Sequence, residues 1–119
     1  MFLLDDGDVQ LRADNTPLVF VEGKFRPICG HFFWDDKNGV NLFCRKLGYM
    51  TGKITAKRLQ IDDDAVQIGK CISGTESFSQ CGGGTCTPME VGGTKQRHCR
   101  CRAGEKAGFR VTCSGGKLF

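Results

Sequence analysis

The sequence predicts an α+β domain stapled by disulfides, and three observations carry that prediction. Short runs rich in Val, Leu and Phe, bounded by turn signals, mark strands toward both ends of the chain. An apolar stripe at 3.6-residue period marks one amphipathic helix. The third observation is cysteine usage: eight cysteines and 17 glycines among 119 residues. An even count at that density, in a chain one domain long, is the composition of an oxidised, loop-rich module. A reduced zinc protein would need Cys and His at ligand spacing. Only His98-Cys99-Arg100-Cys101 and the pair Cys81/Cys86 are closely spaced, and no Cys-x-x-Cys occurs.

Taken in order, residues 8–13 (DVQLRA) and 18–22 (LVFVE) read as strands joined by the turn Asp14-Asn15-Thr16-Pro17. Glu22-Gly23-Lys24 is a second turn. The strand after it contains Pro27, which cannot donate to a ladder and so argues for an irregular or edge position. Val40, Phe43, Cys44 and Leu47 recur at i, i+3, i+4 and i+7, predicting a helix over about 37–47. Asp36 or Asn38 can cap its start, and Gly48 stands where a C-terminal glycine belongs. Cys44 falls on the buried stripe, placed to bridge inward.

Residues 49–70 read as polar and basic, with a short apolar patch at Leu59 and Ile61 before Asp62-Asp63-Asp64. Residues 82–94 (GGGTCTPMEVGGT) have the composition of a long flexible loop, and 107–113 (AGFRVTC) reads as a closing strand. Neither an internal repeat nor an interdomain linker is evident, so residues 1–119 are expected to form one domain. No stretch approaches the roughly 20 apolar residues of a membrane helix, so no membrane insertion is expected. The opening MFLLDDGD has too short an apolar run for a signal peptide. With so many cysteines, the expectation is a secreted or extracellular ectodomain fragment lacking its signal.

The net charge of +4 is unevenly spread. From Lys95 onward seven Lys/Arg face one acid, Glu105, a local charge of +6, so the remaining residues sum to −2. A second acid-free basic stretch holds Arg45, Lys46, Lys53, Lys57 and Arg58. One-signed regions attract polyanions; the plain alternative is a solvated strand.

The segment Phe25–Tyr49, FRPICGHFFWDDKNGVNLFCRKLGY, sets an aromatic, a cysteine, an aromatic-Asp pair and a helix ending CRKLGY in one order. CISGTESFSQC (71–81) resembles a Cys-x-Gly-x-Glu-x-x-Leu-x-x-Cys pattern, with Phe78 for leucine and with Gly74 and Glu76 each one position later than the pattern has them, and EKAGFRVTC (105–113) resembles a terminal Glu-Asp-Ala-Gly-Val-x-Cys motif. With the opening QLRA…GKF, these motifs resemble the scavenger receptor cysteine-rich (SRCR) family over essentially the whole length. The resemblance implies a curved antiparallel sheet cradling the helix. It also implies bridges Cys71–Cys81 and Cys44–Cys113, and Cys29 with either Cys99 or Cys101. Cys86 and the other member of that pair are surplus to the pattern, and a fourth bridge from Cys86 would make the count even. Glu76 is expected to accept backbone N–H groups of its own loop, with Phe78 as the plug anchoring it.

For function, the histidines are only His31 and His98, and the thiols are expected to be oxidised, so no serine or cysteine nucleophile has an evident base. The acids lack an accompanying set of sugar-stacking aromatics. The expected class is therefore a non-catalytic recognition module. Its basic ridge of Arg97, His98, Arg100, Arg102, Lys106 and Arg110 suits sulfate, phosphate or carboxylate groups on an anionic polymer or microbial surface. The resemblance points the same way. Nucleic acid is not expected as the principal ligand, because no aromatics interleave with the arginines. The resemblance also implies a Ca²⁺ site drawing on Asp35, Asp62 or Asp63, and Glu105; Gly30 and His31 stand where the family pattern has an Asp-Asp pair, and Asp36, in a longer loop, is the candidate to compensate. The competing reading makes Asp35 and Asp36 helix caps and Asp62–Asp64 a solvated turn. Phe32-Phe33-Trp34 cannot all point inward. The alternative function is thus a protein-interaction or accessory module of a larger receptor or secreted enzyme, working through Phe32, Phe33 and Trp34.

Overall fold

Local turn chemistry sets the first half of the fold. A computed structural model describes residues 4–29, 32–61, 64–81, 90–91, 94–95, 99–101 and 107–116; of 90–91, 94–95 and 99–100 it describes the backbone course. Strand β1 (Val9–Leu11) pairs antiparallel with β2 (Pro17–Val21), Val9 opposite Val19. In the turn between them Asp14 accepts a hydrogen bond from the Thr16 N–H at 3.0 Å, and Asn15 takes φ +70°. Strand β3 (Lys24–Cys29) returns through the two-residue turn Glu22-Gly23, both at positive φ, whose twist matches that of the flanking strands.

Pro27 is at an edge over only part of its strand. β3 pairs with β2 on one side, Leu18 opposite Pro27. On its other side β5 (Val66–Gln67) joins it in parallel, beginning at Ile28, one residue past the missing N–H. β5 in turn pairs antiparallel with β8 (Cys99–Arg100), giving a five-stranded sheet of order β1-β2-β3-β5-β8. This sheet is mixed, not wholly antiparallel as the resemblance implied. β6 (Glu90–Val91) and β7 (Thr94–Lys95) form a short antiparallel pair at the end of the stretch read as a loop, reaching one residue past it.

The helix is where its periodicity put it. α1 spans Lys37–Lys46, with Asp36 as N-cap, its carboxylate accepting from the Asn38 N–H at 2.9 Å. Arg45 and Lys46 in the last turn complement the helix dipole. Gly48, at φ +98°, ends the helix as the Tyr49 N–H returns to the Cys44 carbonyl at 3.0 Å. Val40, Phe43 and Cys44 are buried as the stripe requires, and Leu42 joins them.

The segment read as polar and basic contains a nine-residue strand. β4 (Thr51–Leu59) alternates exposed and partly buried residues and pairs antiparallel with β9 (Gly108–Ser114). α1 lies on the inner face of this ribbon. At Gly52 a side chain would collide with Sγ of Cys44, so only glycine lets strand and helix approach this closely. The Gly52 N–H donates to Oδ1 of Asn41 at 3.0 Å.

The core gathers Val19, Ile28, Phe33, Val40, Leu42, Phe43, Val66 and Val111 between helix and strands. Among the described residues three bridges close it: Cys29–Cys101, Cys44–Cys113 and Cys71–Cys81. The partner of Cys29 is thus Cys101. Cys86 and the side chain of Cys99 lie outside the described residues. In the 71–81 loop Phe78 is the plug expected, its ring 5.7 Å from that of Phe33. Glu76 does not have the role expected of it. The N–H groups of Glu76 and Ser77 donate to Oε1 of Gln80, at 3.1 and 3.2 Å, while Glu76 itself is exposed. Gln80 and Ser77 form a reciprocal cap around the 3-10 turn Phe78–Gln80, which satisfies those donors without the carboxylate.

The bridges differ in span: Cys44–Cys113 is 69 residues apart in sequence and Cys71–Cys81 only 10. Loop-closure entropy then assigns about 4 kcal/mol to the first and about 3 to the second. Guanidinium unfolding of Cys44→Ala/Cys113→Ala should show the larger loss, whereas Cys71→Ala/Cys81→Ala should retain the helix signal at 25 °C.

Candidate ligand-binding surface

Of the expected calcium ligands, Asp36 is occupied at the helix N-terminus, accepting from Asn38. Asp35 is exposed beside it, its N–H reaching the Phe32 carbonyl at 3.4 Å. Asp62, Asp63 and Glu105 lie outside the described residues. Among the described residues no three Asp, Glu, His or Cys side chains gather into a metal-binding group. Asp35 and a capping Asp36 do not by themselves form a cation site. The neighbouring Asp64 pairs with Nζ of Lys24. Burial pushes its carboxyl up, but the hydrogen bond and charge of Lys24 more than offset this and hold it below the usual range.

The same corner explains a buried cation. Arg26 on β3 is 8% exposed, and its guanidinium donates to three backbone carbonyls: Val21 at 2.8 Å, Asp64 at 3.2 Å and Glu22 at 3.4 Å. It is a structural clamp satisfied by main chain, not a ligand contact.

The aromatic run divides unevenly. Phe33 is fully buried, packed edge-on against Trp34 with centroids 4.6 Å apart, so its ring presents no face to a partner. Trp34 is buried too, its indole N–H donating to the Ile28 carbonyl at 3.1 Å. Phe32 is half-buried at φ +71°, and that backbone reversal lets two rings turn inward while the first stays at the surface.

Of the expected basic ridge, Arg97, His98, Arg102 and Lys106 lie outside the described residues, and only the backbone of Arg100 is described, as part of β8. Arg110 is engaged in structure. Its guanidinium donates to Oγ1 of Thr16 at 2.9 Å and pairs with Asp14 at 3.5 Å, tying β9 to the β1–β2 turn. The Val111 N–H adds a bond to the Asn15 carbonyl at 3.0 Å.

The second basic stretch splits in the same way. Arg45 donates to the Thr75 carbonyl at 3.2 Å, and Lys46 stands 5.5 Å from the ring centroid of Phe78. Lys53, Lys57 and Arg58 are exposed on β4. Charge alone had drawn attention to them, but only the alternation in TGKITA, hidden by glycine and alanine at inward positions, signals that they lie along a strand.

No catalytic grouping meets in the described depressions. One, of about 290 Å³, is lined by Leu4, Asp8, Val9, Phe25 and Lys46. A smaller one, about 60 Å³, lies over the Asp14–Thr16–Arg110 network and includes Arg12 and Gln60. No family model matches the chain, and no curated protein matches it either.

The Asp14 network carries a pH prediction. A hydrogen bond from Thr16 comes first among the causes that hold the Asp14 carboxyl below its ordinary value of 3.8, with Arg110 and Arg12 assisting. A carboxyl depressed on folding contributes stability in full above that ordinary value and loses it as pH falls through the lower folded one. Asp64 acts in the same direction. Urea midpoints should therefore fall as pH drops below about 4, and Asp14→Asn should lower the neutral-pH midpoint while making that acid limb shallower.

Proposed function

We propose that this chain is a secreted, SRCR-like, non-catalytic recognition domain that binds anionic polymers, including microbial surface polymers. The observation that carries the reading is where the one-signed segment runs. Residues from Lys95 onward hold seven Lys/Arg and one acid. Within that segment Cys99–Arg100 form the last strand of the five-stranded sheet as described, and Cys101 is bridged to Cys29 at its core. A one-signed run of sequence anchored to the fold at that strand and that bridge would concentrate positive potential, which attracts polyanions. Three disulfides fit an oxidising compartment. No helix among the described residues is long and apolar enough to cross a membrane.

The protein-interaction reading loses its ring platform with Phe33 and Trp34 buried, and rests on Phe32 alone. Salt separates the two. Retention on immobilised heparin or lipopolysaccharide should be strong at low salt and collapse toward 0.5 M salt, since screening shortens the reach of each charge; an aromatic hot spot would barely respond. No retention at low salt removes the proposal. The calcium-assisted form draws on Asp35 with Asp62, Asp63 and Glu105. Retention that drops on chelation supports that form, and retention indifferent to chelation removes it.

A further inference from the structure

The β4–β9 ribbon carries cations on its outer face and no carboxylate anywhere. Residues 50–61 and 107–116 contain no Asp or Glu. On β4 the outward positions are Thr51, Lys53, Thr55 and Lys57, all exposed. Across the ribbon Lys53 faces Thr112 and Thr51 faces Ser114, whose hydroxyls are 3.3 Å apart. The outward neighbours of Lys53 on both strands are therefore hydroxyls. Among the described residues, Lys53, Lys57 and Arg58 have no ion pair or side-chain hydrogen bond.

A β-bulge enlarges this set. Ala56 lies opposite Arg110 and Leu59 opposite Gly108, so Lys57 and Arg58 together face the single residue Phe109. Strict alternation would turn Arg58 inward and Leu59 outward. The extra residue instead leaves Lys57 and Arg58 both exposed and returns Leu59 to a partly buried position. Arg58 adopts φ +59° to do so, a left-handed conformation that disfavours side chains. Glycine would occupy that backbone without strain. Bulges of this kind re-aim side chains, and strain held in a non-glycine residue points to a use for its side chain.

We propose that the outer face of β4, centred on Lys53, Lys57 and Arg58, is a binding track for a linear sulfated polysaccharide. The inference rests on the polyanion reading above and places the contact on a different element. Lys53 and Lys57 are four residues apart, about 13 Å along a strand, which suits anionic groups spaced along an extended chain better than one small anion. The hydroxyl of Thr55 between them, with that of Thr112 opposite Lys53, supplies further donors to sulfate oxygens. A sulfated sugar is favoured over single-stranded nucleic acid because the face offers no ring on which a base could stack. The ribbon's one aromatic, Phe109, packs instead on Trp34, with centroids 5.3 Å apart.

The test uses the full chain and heparin as probe, with Lys53→Gln/Lys57→Gln/Arg58→Gln set beside Arg97→Gln/Arg100→Gln/Arg102→Gln, folding being checked by circular dichroism. The β4 variant should bind heparin at least tenfold more weakly. The slope of log affinity against log salt should become shallower by about two to three, roughly one for each charge removed. If the β4 variant keeps wild-type affinity while the 97–102 variant loses it, the track is wrong and the polyanion function stands. If the wild-type chain does not bind heparin at all, both fall. Equal competition by single-stranded DNA at matched charge overturns the choice of a sulfated sugar. Arg58→Gly separates display from structure: it should raise the melting temperature while weakening heparin binding, whereas Arg58→Lys should keep most of the affinity. A stabilised Arg58→Gly with unchanged affinity overturns the role given to the bulge.

Discussion

The contact between Cys44 and Gly52 is the constraint on which much of the molecule depends. Sγ of Cys44 occupies the space where any residue but glycine would place a Cβ, and the sulfur is bonded to Cys113 on the other strand of the ribbon. Helix, β4 and β9 are thus drawn together at one point. Asn41, one turn before Cys44, accepts from the Gly52 N–H and fixes the sliding of strand along helix. With the inner face of the ribbon held by a covalent bond, a close backbone approach and a hydrogen bond, its outer face has a defined orientation. Rigid display of that kind lowers the conformational cost of binding.

From this clamp the aromatic residues extend the core outward. Phe33 contacts Trp34 and Phe78, and Trp34 contacts Phe109 on β9, so one set of rings links the helix approach, the 71–81 loop and the ribbon. The loop needs its disulfide, the Ser77–Gln80 cap and the Phe78 anchor together, because it contains no regular structure beyond a single 3-10 turn. The Nδ2 group of Asn38 donates to the Cys71 carbonyl at 3.2 Å, adding a polar tie from the helix N-terminus.

What could be read from the sequence follows the strength of each local signal. The helix was legible because its apolar spacing, its Asp36 cap and its Gly48 end all agree. The hairpins were legible from Asp14-Asn15 and Glu22-Gly23, whose turn preferences act over a few residues. β4 was not, since its inward side chains at 52 and 56 are glycine and alanine, and its outward ones are threonine and lysine. A strand that packs by close approach hides its apolar face. The parallel β3–β5 pair joins residues 38 positions apart, from Ile28 to Val66, and no local pattern encodes such a pairing. The choice of Cys101 over Cys99 was hidden because alternate residues of a strand share a face. Glu76 attracted a role that Gln80 performs, because a neutral amide that both caps and accepts is harder to see in a sequence than a charge.

The arginines show why charge counting locates a surface only approximately. Arg26, Arg45 and Arg110 belong to the same basic total as Lys53, Lys57 and Arg58, yet backbone carbonyls, Thr16 and Asp14 engage the first three. An engaged guanidinium must give up its partners to meet a ligand, and the hydrogen bonds lost offset those gained. A cation with no partner gives up only water and counterions. The difference comes from neighbours: the turn beside Arg110 supplies Asp14, whereas neither strand of the ribbon has an acid to neutralise β4. With no carboxylate on either strand, that face is balanced by water and counterions, and these are what the proposed polyanion contact would displace.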